Sequence, residues 1–124
     1  MINTLTEFNS LINELDINYH YERNNSTEII YPYWVGEVLS TSQTYEDRSE
    51  NITIKLVGTS QGSYTELLTE YDKIKNYFKQ TRKQHFDNGV VVFNLAGTNP
   101  HIPTGEADLK RVEINIDAIL WETD

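Results

Sequence analysis

Apolar residues recur at helical spacing twice in the chain and at strand spacing three times. Leu5, Phe8, Leu11, Ile12 and Leu15 follow one another at intervals of three and four, which predicts an amphipathic first helix. Thr4 and Glu7 stand at capping-box spacing ahead of that stripe, and Asp16-Ile17-Asn18 closes it. Residues Glu28 to Tyr45 are rich in Ile, Tyr, Val and Thr, with Pro32 near the entry. Alternation there places Tyr33, Val35, Glu37 and Leu39 on one face and Trp34, Gly36 and Val38 on the other. Ile52, Ile54 and Leu56 alternate with polar neighbours from Asn51 to Gly58, predicting a half-buried strand antiparallel to the one before it. Tyr64, Leu67, Leu68, Tyr71, Ile74 and Phe78 form a second helical stripe, opened by a Ser63/Glu66 capping box and ending near Arg82.

Asp87-Asn88-Gly89 predicts a turn, and Val90 to Leu95 a short apolar strand. Gly97, Pro100, Pro103 and Gly105 give residues 97–106 the composition of an ordered loop. From Arg111 to Trp121 alternation resumes, with Val112, Ile114, Ile116, Ala118 and Leu120 facing inward. The expected fold is therefore α/β (α+β) in the order α-β-β-α-β-β. It is a four-stranded, mainly antiparallel sheet with two helices packed on one face, in a single domain spanning residues 1–124.

Composition narrows the function. Ten Lys and Arg stand against 19 Asp and Glu, a formal charge of −9. That balance argues against a surface that tracks phosphates, which needs clustered cations. The densest basic group, Lys73, Lys75, Lys79, Arg82 and Lys83, alternates with acids on the second helix and reads as a solvated face. With no cysteine, disulfides and thiolate chemistry are excluded. Met1 to Thr4 lack a basic leader, and no apolar run approaches the ~20 residues of a membrane span, so the expectation is a cytoplasmic product.

His20, His85 and His101 lack a second ligand at metal-binding spacing. Gly58 to Ser63 joins a strand to a helix as a phosphate-binding loop does, but the spacing is one residue short and no Lys follows Gly62. No nucleophile elbow is present. The expectation is a non-enzyme with no catalytic residue, no cofactor and no metal. Tyr31, Tyr33 and Trp34 form an aromatic cluster that one core face cannot wholly hide, and such residues favour interfaces.

Five stretches together resemble a family of small virion proteins of phages and prophages of Gram-positive hosts. They are Tyr31-Pro32-Tyr33-Trp34-Val35-Gly36-Glu37, Gly58 to Leu67, Ile74 to Phe78, Ile102 to Arg111, and Trp121-Glu122. Members of that family are described as minor capsid or tail-completion components and look like tail terminators, or head–tail joining proteins. The likeness runs from about Leu5 to Trp121 and rests on pattern and order. It implies a structural virion protein that assembles as a hexameric ring on the finished tail tube, stops its growth and meets the head connector. Its place would be the tail or neck of the virion, after assembly in the host cytoplasm. A head-closure protein of the same neck, or an acidic inhibitor or immunity-type module that binds a basic partner, are the alternatives.

A globule of this length has a radius of gyration near 14 Å, so a passage for duplex DNA needs several copies. Rings use heterologous contacts between two different patches. Tyr31, Tyr33 and Trp34, with Pro100, His101, Ile102 and Pro103 of the long loop, are the candidate contacts with a neighbouring subunit or the tail tube. Six copies would carry about −54, which suits a conduit that lets the genome pass without binding it. Asp47, Glu50, Glu113 and Asp117 are the candidate lumen-facing acids.

Overall fold

The computed structural model describes residues 1–43, 49–62 and 64–122. Helix α1 (Ile2–Glu14) is followed by strands β1 (Tyr19–Tyr21), β2 (Tyr33–Gln43) and β3 (Glu50–Gln61). Helix α2 (Thr65–Lys79) leads into β4 (Arg82–Phe86), β5 (Gly89–Ile102) and β6 (Leu109–Glu122). The strands form one sheet in the order β1-β2-β3-β6-β5-β4. Only the β1–β2 pair is parallel, and every other neighbouring pair is antiparallel.

This corrects the expected fold. The sheet has six strands, is mixed, and curls into a half-barrel, where four antiparallel strands beneath two helices were expected. Two strands had escaped the periodicity. The polar run Arg82–Phe86 is a strand and not the end of α2, which stops at Lys79. Its first residue is anchored to the end of α2: the Arg82 guanidinium lies 3.8 Å from the Tyr77 ring centre, and its Nε–H donates to the Tyr77 carbonyl at 2.9 Å. Tyr19–Tyr21 is short, and its partner Trp34–Gly36 lies across a loop. Most of the expected loop over residues 97–106 is also strand, because β5 continues to Ile102 opposite Arg111. Register shifts interrupt it at Leu95/Gly97 and at Asn99/Ile102, and such bulges bend a sheet.

The expected stripes are the core. Phe8, Leu11 and Ile12 of α1 and Leu67, Tyr71, Ile74 and Phe78 of α2 meet Ile52, Ile54 and Leu56 of β3 and Val112 to Leu120 of β6 in one buried cluster. Phe8 sits at its centre, with ring centres 5.7 Å from Phe78 and 5.6 Å from Phe93. The first capping box is not formed: α1 begins at Ile2, one turn earlier, and Thr4 is a buried residue inside it. At the second helix, Tyr64 occupies the position before the first turn, and Ser63 lies outside the described residues.

Candidate functional site

Strand parity sorts the sheet into a covered and an uncovered face. On β6, Val112 to Leu120 at even positions are buried, while Arg111, Glu113, Asn115 and Asp117 point the other way. Register aligns Asn115 with Lys55 of β3, and Lys55 with Glu37 of β2. The uncovered face thus carries a polar band. Lys55 Nζ lies 4.0 Å from Glu37 and 3.9 Å from Glu113, and Asn115 Nδ2 donates to Glu113 at 3.0 Å. Thr53 Oγ1 donates to Asp117 at 2.8 Å. Lys55 and Arg111 against Glu37, Glu113 and Asp117 leave the band with an excess of one negative charge, and its exposed pairs contribute less than about 1 kcal/mol each.

Of the four candidate lumen acids, the structure brings Glu113 and Asp117 together on this face. Glu50 does not join them. It shares parity with Ile52 and Ile54, so it points toward the helices, where the Met1 amino group lies 3.4 Å away. Asp47 lies outside the described residues. Glu37 belongs to the band and was not among the candidates, although its alternation with Tyr33 and Val35 marks the same face.

Trp34, one of the candidate contact residues, is fully buried within the chain, on the face opposite Tyr33. Its register partner is Gly58, and a Cβ on Gly58 would lie 2.8 Å from three indole atoms, so the missing side chain is what admits the ring. The indole Nε1–H donates to Glu70 of α2 at 2.9 Å. Burial pushes the Glu70 carboxyl above its ordinary range, against the opposing pull of that hydrogen bond and of Lys73. Tyr31 and Tyr33 remain half-exposed, with ring centres 5.6 Å apart. The exposed Ile29 and Ile30 precede them.

The glycine-containing stretch Gly58–Gln61 is the end of β3, with Thr59 and Ser60 buried, and so is not a phosphate-binding loop. Gly62 has a φ of 81°, which glycine adopts without strain, and its N–H donates to the Asp108 carbonyl at 2.7 Å. Gln61 Nε2 bonds the Asp108 carboxylate at 3.2 Å. These bonds, with the Tyr64 hydroxyl donating to the Pro100 carbonyl, tie down the β5–β6 arm. Pro100, His101 and Pro103 are exposed on that arm, and Ile102 is half-exposed. An open concavity of about 280 Å³ lies at its tip, between Ile102, Pro103, Glu106 and Lys110. It is smaller than an ordinary ligand pocket.

Among the described residues no group of three or more His, Asp or Glu side chains is placed to hold a metal ion. None of the described helices is long and apolar enough to cross a membrane. Set against known protein families and curated proteins, the chain matches none.

Proposed function

We propose that this chain is a structural protein of tailed-virion assembly, a tail terminator that caps the tail tube as a ring at the head–tail interface. The observation that carries the reading is the exposed arm formed by the outer halves of β5 and β6. Residues 98–101 are all exposed, yet the arm is ordered by bonds from Gln61, Gly62 and Tyr64. An ordered, exposed projection is suited to gripping a neighbour. The acidic band supports the same reading, because Glu37, Glu113 and Asp117 would repel phosphates along a passage. In this reading six copies close the ring, the tube protein lies below it, the head connector lies above, and the genome passes through unbound.

The test is to mix the purified chain with tail tubes of the phage or prophage that encodes it and measure tube ends and lengths by electron microscopy. A ring at one end of each tube, with growth halted, is expected. Tubes that keep growing, with bare ends, would overturn the reading.

A further inference from the structure

The short outermost strands each cover only part of the strand beside them. β1 pairs with Trp34–Gly36 of β2, and the Glu22 N–H extends that pairing by one bond to the Gly36 carbonyl at 2.7 Å. From Glu37 to Gln43, β2 has β3 on one side and, among the described residues, no strand on the other. At the opposite edge β4 pairs with Gly89–Phe93 of β5. From Asn94 to Asn99, β5 has β6 on one side and, among the described residues, no strand on the other. Among the described residues, no backbone hydrogen bond reaches the outer side of either stretch.

Such rows of free peptide groups are templates for another strand, and proteins ordinarily blunt them with charge. β4 conforms, with Arg82, Lys83 and His85. The two free stretches are not blunted by charge, and each holds one register shift, at Val38/Ser40 in β2 and at Leu95/Gly97 in β5. Glu37-Val38-Leu39-Ser40-Thr41-Ser42-Gln43 holds one charge, which is drawn to Lys55, and Asn94-Leu95-Ala96-Gly97-Thr98-Asn99 holds none. Leu39 is 57% exposed. In a chain of charge −9, these are places where two copies can approach and meet a single carboxylate, Glu37, which faces Lys55.

Strand direction selects the pairing. β2 is antiparallel to β3, β3 to β6, and β6 to β5, so β2 and β5 run in opposite directions. A second copy in the same orientation, continuing the sheet, sets its β2 antiparallel against the first copy's β5. We propose that copies of this chain join head to tail by pairing the free edge Glu37–Gln43 of one with the free edge Asn94–Asn99 of the next. Pairing β2 with β2 would leave both β5 edges bare, whereas this junction covers an edge of each kind in every copy. It is heterologous, as a ring requires, and it rests on the ring reading for its closure.

The test uses two variants with exposed substitutions that add buried carboxylates to a junction: Leu39→Glu with Thr41→Glu, and Ala96→Glu with Thr98→Glu. Each is checked for wild-type circular dichroism and cooperative melting as a monomer. Native mass spectrometry at millimolar concentration should show oligomers for the wild type and monomers for each variant alone. A one-junction dimer should form when the two are mixed, because each supplies the edge the other lacks. In wild-type oligomers, amide exchange at 37–43 and 94–99 should slow by about tenfold or more relative to the dilute monomer. A wild type that stays monomeric, variants that still self-associate, or a mixture with no dimer would overturn the proposal. The two readings fail separately: a closed ring with both edges unprotected removes the junction and keeps the ring, while an open chain of copies with both edges protected keeps the junction and removes the ring.

Discussion

Replacing Gly58 by Ala adds one methyl group at the most crowded point of the fold. The new Cβ would lie 2.8 Å from three atoms of the Trp34 six-membered ring and bridge, closer than carbon atoms approach. The ring cannot turn outward, because it is fully buried and its nitrogen is bonded to Glu70 at 2.9 Å. A retreat of well under 1 Å relieves the contact, and overpacking of this kind costs about 1–3 kcal/mol. The same retreat lengthens the bond to Glu70, a hydrogen bond to a carboxylate that contributes about 1.5–3 kcal/mol when intact. Losing part of it brings the expected total to about 3 kcal/mol, or a fall in melting temperature on the order of 10 °C for a domain of this size. The assay is urea denaturation of Gly58→Ala, Trp34→Phe and the double variant. Phe leaves the crowded space empty, so the double variant should lose less than the sum of the singles by at least about 1 kcal/mol. A loss below about 0.5 kcal/mol for Gly58→Ala, or strict additivity, would refute the claim that this glycine admits the indole.

Four further outcomes are expected. Glu70→Gln keeps an acceptor for the indole, whereas Glu70→Leu leaves the buried N–H unsatisfied and should cost about 1–3 kcal/mol in denaturant titrations. Because burial raises the Glu70 pKa, the folded chain holds more protons than the unfolded one just above the ordinary carboxylate range; wild-type stability therefore falls relative to Glu70→Gln as pH rises through and beyond that range, and an unchanged difference between the two would refute the shift. Phe8→Ala empties the space between Phe78 and Phe93 and should cost about 3–5 kcal/mol by the same titration. Reversing the band with Glu113→Lys and Asp117→Lys should leave ring formation intact but impair genome passage, read as lost infectivity of phage particles carrying the variant; normal infectivity would remove these acids from the passage.

Local periodicity made the two helix stripes and the inward faces of β3 and β6 legible, because each buries a regular subset of its own residues. The sheet edges were not. Arg82–Phe86 contributes stems and one aromatic ring, not an apolar alternation, and Tyr19–Tyr21 is too short to show a period. The turn Asp87-Asn88-Gly89 was readable as a turn, and with β5 behind it implied a partner strand in front. Trp34 was legible as one of an aromatic cluster, but its burial depends on Gly58, more than 20 positions away and opposite it only once the register is known. The placement of Glu50 was readable: it shares parity with Ile52 and Ile54, and parity alone separates it from Glu113 and Asp117. The free edges of β2 and β5 are a property of topology, visible only when the lengths of neighbouring strands are compared.

The measurement that bears most directly on the central claim is the native mass of the chain over a range of concentrations, alone and with tail tubes, followed by electron microscopy of the same samples. A closed ring, six-fold by the resemblance, is expected at high concentration or on the tubes. A monomer under every one of those conditions would contradict it.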